Sequence, residues 1–282
     1  MTAEDPVTLP VIAFLGAGSM AGAVLSGLLR PGVETAGIRT TNRTAEKAAA
    51  SAALPGVTAY ATETDASANR LAVAGAKLVV VAVKPAMVPD LLREIADALE
   101  PGAVVVSVAA GVTVATFESI LPDSVSVIRT MPNTPAVVGR AVTGVSAGTR
   151  STPDDLALVE TLFSTVGDVL VVPESQLDAL STISGSGPAY VFFLIEQLTA
   201  TAIDLGFTPD EAARMVQGTF LGASELLAAS GEEPAELRRR VTSPKGTTER
   251  AIAVLDEAEL KETFDRATGA ALARARELAA GA

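Results

Sequence analysis

The feature that most constrains this fold is a glycine-rich turn between an apolar strand pattern and a helical pattern. Residues 11–15 are apolar, and they run into Gly16-Ala17-Gly18-Ser19-Met20-Ala21. Strand, glycine turn and helix in this order are typical of a dinucleotide-binding βα unit. Gly16 permits the tight turn, Gly18 lets a pyrophosphate approach the backbone, and Ala21 lets helix and strand pack closely. The first helical turn, with Ser19 and Met20, offers free N–H groups to a phosphate.

Alternating strand and helix patterns fill the amino-terminal half of the chain. Strands are predicted at residues 11–15, 36–40, 78–83, 103–109, 124–130, 142–147 and 168–172. The early strands are rich in Val, Ile and Ala on both faces, as buried parallel strands are. Repeated βα units therefore predict an α/β Rossmann domain with a doubly wound, mainly parallel sheet. Residues 1–10 are expected to form a loose leader.

The carboxy-terminal half has helix patterns and almost no strand signal. Residues 1–173 are predicted to form the dinucleotide-binding domain, and residues 174–282 an all-α domain. Apolar side chains such as Phe192, Phe193 and Leu198 cannot all face one way on one helix. A small domain has little interior, so this excess predicts an obligate dimer through the helical half. The alternative is a helical domain folded back on its own sheet.

Composition excludes several classes of site. The 282 residues include no Cys and no His, so a thiolate nucleophile, an imidazole acid–base group and a zinc–thiolate site are all excluded, and we expect no metal. Any proton donor is Lys, Tyr, Asp, Glu, a hydroxyl or water. The net charge of −12 argues against a nucleic-acid partner. We find no signal-peptide pattern and no apolar run long enough for a membrane helix, which predicts a cytoplasmic protein.

The end of the second predicted strand indicates which dinucleotide is bound. NAD-binding units usually carry Asp or Glu there to hold the ribose 2′-hydroxyl. This chain has no carboxylate at that place but has Arg39, Asn42 and Arg43. An arginine beside hydroxyl and amide groups can bind a 2′-phosphate bidentately, which favours NADPH. Arg43 is the first choice and Arg39 the second; the alternative is that both are surface charges.

Turns after three other predicted strands are candidates for lining the cofactor crevice, because ligands of such sheets lie at the carboxyl ends of strands. Each turn carries small residues or proline. They are Ala82-Val83-Lys84-Pro85, Ala109-Ala110-Gly111 and Met131-Pro132-Asn133. Cofactor-binding roles are predicted for Ala82, Val83, Lys84, Pro85, Ala109 and Asn133.

A hydroxyl-rich turn opens a helix in the carboxy-terminal half. It runs Thr242-Ser243-Pro244-Lys245-Gly246-Thr247-Thr248-Glu249. Pro and Gly in a tight turn, followed by two threonines, are typical of a helix start. The hydroxyl and free N–H groups can hold an anion such as a carboxylate.

These motifs together resemble pyrroline-5-carboxylate reductase over nearly the whole chain. The motifs are Gly16-x-Gly18-x-x-Ala21, Ala82-Val83-Lys84-Pro85, Ala109-Ala110-Gly111-Val112-Thr113, Arg129-x-Met131-Pro132-Asn133-Thr134-Pro135, Ser184-Gly185-Ser186-Gly187-Pro188-Ala189-Tyr190 and Val241-Thr242-Ser243-Pro244-x-Gly246-Thr247-Thr248. The first is shared by Rossmann proteins, whereas the last three in this order are specific. The resemblance implies hydride transfer from NADPH, or from NADH, to the C=N bond of 1-pyrroline-5-carboxylate, giving L-proline in the last step of proline biosynthesis. It also implies an interlocked homodimer, sometimes assembled further.

The same resemblance suggests residue roles in the helical half. Ser243, Gly246, Thr247 and Thr248 fall where the family binds the substrate carboxylate, and Thr248 on the threonine proposed to hydrogen-bond the ring nitrogen. Glu174 matches a family glutamate near the site, and Tyr190 is expected to pack below it. The cofactor domain and this turn are expected to meet around the substrate ring.

The turn departs from the family at Lys245, where a glycine is usual. A type II turn needs positive φ at this residue, which is unfavourable without glycine. The sequence therefore predicts a type I turn with Lys245 near φ of about −90°. The lysine is expected to be solvated, although its ammonium could attract the substrate carboxylate.

Other functions remain open at this point. A β-hydroxyacid dehydrogenase also joins a Rossmann domain to helices but needs a lysine acid–base group, for which Lys245 is the one serious candidate in the helical half. An imine reductase with another cyclic substrate is a related possibility. A non-enzyme alternative is a dimer that senses NADP(H), since fold does not determine function.

Overall fold

The computed structural model describes residues 6–279, with side chains described as far as residue 277. Within this range the chain forms two compact units, residues 6–186 with 271–279, and residues 187–270. The units divide after Ser186, whereas the domain boundary expected from sequence lies near residue 173. The boundary at residue 173 stays a prediction, because it was placed where strand patterns give way to helix patterns, whereas the two units are separated by their internal contacts.

The first unit is built on one eight-stranded sheet. The strands are β1 (Val7–Leu15), β2 (Val33–Asn42), β3 (Val57–Ala61), β4 (Leu78–Val81), β5 (Val104–Ser107), β6 (Ser126–Met131), β7 (Ala141–Ala147) and β8 (Gly167–Val171). Their spatial order is β3-β2-β1-β4-β5-β6-β7-β8. Neighbours from β3 to β6 are parallel, β7 is antiparallel to β6, and β8 is parallel to β7. The predicted mainly parallel, doubly wound sheet is confirmed.

Helices cover both faces of this sheet. They are α1 (Ser19–Leu28), α2 (Ala45–Ala52), α3 (Ala68–Val73), α4 (Val88–Ile95), α5 (Val114–Glu118), α6 (Pro153–Ser164) and α7 (Glu174–Leu180). A π-helical turn, Ser181–Gly185, follows α7, and the end of α12 (Leu260–Ala279) belongs to the same unit. Three 3₁₀ turns lie at Pro85–Met87, Ala96–Ala98 and Thr134–Val138.

Alternating side chains of β1 show how the two core layers arise. Ile12 and Phe14 are buried on one face, in the layer that contains α1 and Phe163 of α6. Leu15 is buried on the other face, in the layer with α4 and Phe117 of α5. Because both faces are covered, the central strands are apolar throughout. The carboxyl ends of the strands are then the open edge at which a ligand can reach the sheet.

The second unit is entirely helical. It contains α8 (Gly187–Asp204), α9 (Pro209–Ser230), α10 (Pro234–Arg240), α11 (Thr247–Glu257) and the first part of α12. Within residues 187–270 the buried hydrophobic side chains are Ala202, Ala212 and Val216 alone. Large apolar side chains remain exposed, with Phe192 at 65% and Phe193 at 59%. One copy of this unit therefore leaves most of its apolar surface uncovered.

No helix within residues 6–279 combines the length and the apolar character needed to cross a lipid bilayer.

Several local predictions were wrong. Strand β3 and helices α3 and α5 were not predicted, because each is short and β3 is a half-buried edge strand with a weak apolar pattern. Residues 7–10 belong to β1 rather than to a loose leader, since the first residues of β1 pair with the start of β2. Residues 1–5 of that predicted leader lie outside the described residues.

The start of α6 is tied to the sheet through a buried carboxylate. Asp155 accepts hydrogen bonds from Ser126 Oγ at 2.7 Å, Thr152 N at 3.1 Å and Lys77 Nζ at 3.2 Å. Burial by itself raises the pKa of Asp155, but these hydrogen bonds outweigh it and hold the pKa below its usual value of 3.8. The carboxylate thus links β6 to the capping box of α6.

Replacing Asp155 by Asn is expected to lower the free energy of unfolding by about 1–2 kcal/mol at neutral pH, because charge-assisted hydrogen bonds are lost. A carboxyl whose pKa is depressed on folding stabilises above its unfolded pKa, and this contribution disappears as pH falls through the folded pKa. The difference between wild type and D155N should therefore shrink below about pH 4. Urea unfolding at several pH values measures it.

Asp154, exposed in the same helical turn, supplies the control. Asp154→Asn should change stability by less than about 0.5 kcal/mol. A D155N difference that persists undiminished at low pH would contradict the assigned role.

Candidate functional site

The glycine turn lies between β1 and α1, where the strand order reverses. Gly16 has φ of +83°, and a Cβ atom there would lie 2.8 Å from Val83 Cγ1 and 3.2 Å from Ala82 O. Its N–H and that of Ala17 donate to Thr41 O at 3.2 and 2.9 Å. The turn thus requires glycine both for its backbone conformation and for its closeness to the end of β4. The carbonyl of Thr41, which sequence reasoning did not identify, holds it over β2.

Helix α1 begins with donors available to an anion. Gly18 is the N-cap residue, and no side chain accepts a hydrogen bond from the first turn. The first N–H groups of a helix lack intrahelical acceptors, so those of Ser19, Met20 and Ala21 can bind a negatively charged group. A Cβ on Gly18 would meet only Gly16 O, at 3.9 Å. The space beside Gly18 is therefore open.

A cavity of about 770 Å³ lies in front of this turn. It brings together most of the residues predicted from sequence to bind the cofactor: Gly16, Gly18, Asn42, Arg43, Ala82, Val83 and Lys84. Thr44, Lys47 and Thr62 also line it, and sequence reasoning missed them. The sequence could have indicated Lys47, because it lies in the first helical turn after Thr44, the N-cap residue of α2.

The two candidate arginines have different surroundings. Arg43 lines the cavity, is exposed and has no ion-pair partner within the described part of the chain. Arg39 instead donates to the carbonyl oxygens of Ala72 and Ala74 at the end of α3. Arg39 therefore caps a helix, and of the two arginines Arg43 is the one in position to meet a ligand.

Asn42 supports the turn from behind. It is buried, its Nδ2 donates to Ala17 O at 3.0 Å, and its Oδ1 accepts from Ser51 Oγ at 3.2 Å. Both polar ends of the amide are thus used within the protein. Its contacts position the glycine turn.

A second cavity of about 810 Å³ lies at the carboxyl ends of β4, β5 and β6. It shares Lys84 and Ala86 with the first cavity, so the two are adjacent. Its walls combine small and apolar residues with a few polar ones, among them Pro85, Ala110, Gly111, Met131 and Asp178. Such a mixture suits a flat ring with one polar edge.

Four predicted cofactor residues do not line either cavity. Ser19 and Met20 lie in the first turn of α1. Ala109 is buried beside the second cavity, next to Ala110, which lines it. Asn133 is buried, donates to Ser184 O at 2.9 Å and accepts from Val142 N at 2.9 Å. Its side chain joins the turn after β6 to the π-helical turn.

Glu174 takes part in a network beneath the second cavity. Its Oε1 accepts from Val114 N at 2.8 Å, at the start of α5, and from Arg129 at 3.3 Å. Arg129 is only 3% exposed and donates to Asp178 at 2.6 Å. Asp178 in turn lines the cavity. Sequence reasoning included Arg129 in a motif without a role and missed Asp178.

The hydroxyl-rich turn lies in the second unit, and its predicted geometry was wrong. Lys245 has φ of +63°, not about −90° as a type I turn requires. Gly246 N donates to Ser243 O at 3.0 Å, which closes the turn. Lys245 N donates to Glu249 Oε2 at 2.8 Å. This charge-assisted bond offsets the cost of a left-handed lysine, about 1–2 kcal/mol.

Helix α11 also begins without a side-chain cap. Gly246 is its N-cap residue, and Thr247 and Thr248 form the first positions. A Cβ on Gly246 would lie 2.5 Å from Ser243 Oγ, so the turn packs too closely for any side chain there. Free N–H groups and two threonine hydroxyls together could bind a carboxylate.

Tyr190 packs against Phe264 in the same unit, with ring centroids 6.2 Å apart.

Comparison with known proteins identifies the family. The family model for pyrroline-5-carboxylate reductase dimerisation matches residues 174–278, and that for NADP oxidoreductase, coenzyme F420-dependent, matches residues 11–111. A curated pyrroline-5-carboxylate reductase from Pseudomonas aeruginosa is 39% identical, over 97% of this chain and 98% of its own length. The chain belongs to the pyrroline-5-carboxylate reductase family. A relative of the same name from Mycobacterium tuberculosis is 38% identical over 95% of this chain and 96% of its own.

Solved structures agree with this family membership. A pyrroline-5-carboxylate reductase from Coxiella burnetii is 37% identical, with a TM-score of 0.88, over 95% of this chain and 97% of that one. The Plasmodium falciparum pyrroline carboxylate reductase with NADP bound is 22% identical, with a TM-score of 0.80, over 95% and 97% of the two chains. At that identity the second structure supports the fold alone. The resemblance inferred from the motifs is confirmed.

Gly18→Ala should weaken NADPH binding by about tenfold or more, because its methyl group occupies the space through which a pyrophosphate reaches the backbone. Folding should be unaffected, since the new Cβ meets no atom closer than 3.9 Å. Fluorescence titration with NADPH and thermal unfolding measure the two effects. Gly22→Ala, in the same helix with nothing within 4 Å, is the control and should bind NADPH normally. Normal binding by G18A would show that no phosphate lies there.

Lys245→Gly and Lys245→Ala separate backbone strain from charge. At a left-handed position the glycine variant should be more stable than the alanine variant by about 0.5–1 kcal/mol, the reverse of the usual order. Both variants should keep the KM for the imine within a few-fold of wild type, because exposed charges contribute little. Thermal unfolding at fixed protein concentration and steady-state kinetics test this. A large rise of KM in both variants would show that the ammonium binds substrate.

Proposed function

We propose that this protein reduces the C=N bond of 1-pyrroline-5-carboxylate to L-proline with NADPH, the last step of proline biosynthesis. The observation that carries the proposal is similarity to reductases of that name along almost the entire chain. This similarity favours the reductase over a hydroxyacid dehydrogenase, a reductase of other imines and an NADP(H) sensor. Further support comes from the two cavities and from the uncapped starts of α1 and α11.

The residues of the first cavity fit a nicotinamide dinucleotide. The uncapped start of α1 suits its pyrophosphate, and the open space beside Gly18 lets it approach. Arg43 directly follows β2 and Lys47 lies in the first turn of α2, so both cations are placed to bind a 2′-phosphate. When bound, the reduced nicotinamide supplies a hydride. NADPH is therefore the proposed cofactor, with NADH as a second one.

In the second unit, Ser243, Gly246 and Thr247 are proposed to bind the substrate carboxylate with hydroxyl and N–H groups. Thr248 is half-buried and is proposed to hydrogen-bond the ring nitrogen. A threonine hydroxyl is too weak an acid to drive protonation alone, so it orients the nitrogen while the proton comes from water. The reaction adds one hydride to carbon and one proton to nitrogen, which requires no histidine.

Glu174 is proposed to position other groups near the substrate rather than to contact it. Because its carboxylate is bound by Val114 N and Arg129, it holds α5 and Asp178 in place around the second cavity. Ala109 and Asn133 are proposed to shape the same cavity from behind. Ser19 and Met20 are proposed to contribute backbone N–H groups.

The family model identifies the carboxy-terminal segment with a dimerisation region, so the chain forms a homo-oligomer. We propose that the basic assembly is a homodimer, with larger assemblies of dimers possible. Exposed Phe192 and Phe193, in a unit with almost no core of its own, support this proposal. A cytoplasmic location and the lack of a nucleic-acid partner stay predictions from composition.

The wild-type protein should oxidise NADPH at pH 7 when racemic pyrroline-5-carboxylate is added, and the loss of NADPH absorbance measures this activity.

Thr248→Val removes the hydroxyl at nearly constant shape and should lower kcat/KM by about 10–100-fold, as loss of a transition-state hydrogen bond does. Thr248→Ser keeps the hydroxyl and should retain most activity.

Binding of NADPH without turnover of any imine would instead support the sensor. Turnover of a hydroxyacid that is lost in Lys245→Ala would support the dehydrogenase. Equal activity of T248V and T248S would contradict the role given to Thr248.

A further inference from the structure

A glutamate reaches the start of α2 from the neighbouring strand. Strands β2 and β3 are parallel, with Asn42 opposite Ala61, so their carboxyl ends lie side by side. Glu63 follows the end of β3, and its N–H donates to Arg43 O at 3.0 Å. Its Oε1 accepts a hydrogen bond from Ala45 N at 2.6 Å. Backbone and side chain together thus hold this carboxylate against residues 43–45.

The carboxylate lies beside the cationic end of the first cavity. Arg43, Thr44, Lys47 and Thr62 all line that cavity, and Glu63 bonds to the segment that connects them. Neither Arg43 nor Lys47 has an ion-pair partner among residues 6–279. This end of the cavity therefore carries two free cations, with one fixed anion beside it.

Two carboxylates line the cavity itself, both on α4 and both otherwise engaged, whereas Glu63 lies beside the lining residue Thr62. Asp90 pairs with Arg93 at 2.7 Å, and Glu94 accepts two hydrogen bonds from Asn69, each of 3.1 Å. Glu63 differs because it takes a backbone N–H in the first turn of α2. Such N–H groups are those that a phosphate at a helix start would use.

The charge on Glu63 has opposite consequences for the two nicotinamide cofactors. A 2′-phosphate carries between one and two negative charges at neutral pH, so a fixed carboxylate repels it and also competes for the N–H of Ala45. A 2′-hydroxyl can instead donate a hydrogen bond to a carboxylate, as it does to the acidic residue of NAD-binding sites. The end of β2 has no such residue, and β3 supplies one.

We propose that Glu63 is a specificity-determining residue that weakens the preference of this cavity for NADPH and lets it accept NADH. The inference rests on the proposed function only in that a nicotinamide dinucleotide occupies the first cavity. Arg43 and Lys47 attract the 2′-phosphate, and Glu63 opposes them. The cofactor preference is then the balance of these groups.

Equilibrium titration of the full-length protein with NADP⁺ and NAD⁺ tests the proposal without any imine. Glu63→Gln keeps the shape and an acceptor oxygen while it removes the charge. It should lower the Kd for NADP⁺ about three- to tenfold and leave the Kd for NAD⁺ unchanged or raised, and the effect should shrink in 0.5 M salt because screening weakens it. Thermal unfolding of the free protein shows whether the variant is folded.

Glu46→Gln is the matched control. Glu46 is exposed in the first turn of the same helix and, like Glu63, does not itself line the cavity, but it is not the carboxylate that binds Ala45 N. This variant removes the same charge at nearly the same place and should change the ratio of the two Kd values by less than about twofold. An effect as large as that of E63Q would show that net charge alone matters and would overturn the proposal.

Two further outcomes would also overturn it. An unchanged ratio in E63Q would show that the carboxylate does not act on the ribose end, and equal weakening of both cofactors would show that it only holds the loop. Failure of the proposed function is distinguishable from either result. In that case wild type binds both dinucleotides but reduces no imine, and the titrations remain informative.

Discussion

The hydrogen bonds from Gly16 and Ala17 to the carbonyl oxygen of Thr41 are the constraint on which the rest of the cofactor region depends. They hold a left-handed turn against β4, in a space too small for a Cβ atom. The turn sets where α1 begins, and hence where its free N–H groups lie. Asn42 reinforces the same turn through Ala17 O. The neighbouring Arg43 is thereby kept at the cavity.

Two groups of helix starts contrast within residues 6–279. Threonine side chains cap α2, α5, α6 and α9, where Thr44, Thr113, Thr152 and Thr208 accept hydrogen bonds from the first turn. Glycine is the N-cap residue of α1 and α11, and no side chain satisfies the first N–H groups there. Helices α3, α4, α7 and α10 also lack a side-chain cap, but other residues precede them. A capped start stabilises its helix, whereas an uncapped one retains donors for a ligand. The two glycine starts are also the two places where the proposed function needs an anion to bind.

The helical unit, residues 187–270, keeps most of its large apolar side chains on its surface. Ala202, Ala212 and Val216 are the buried hydrophobic residues within residues 187–270, while aromatic side chains of α8 remain exposed. A unit of this kind gains little from its own burial and has to gain stability from another copy. Its stability and its assembly are therefore expected to be inseparable, which is the behaviour of obligate homo-oligomers.

The sequence by itself determined the elements whose signal is local. The apolar run before Gly16, the capping threonines Thr152 and Thr208, and the helix start at Thr247 each depend on residues within a few positions of one another. Only the tertiary structure decided which distant groups meet. Arg39 caps α3 while Arg43 lines the cavity, Glu174 binds Val114 and Arg129, and Glu63 reaches Ala45. These contacts depend on strand order and packing, which no local pattern encodes.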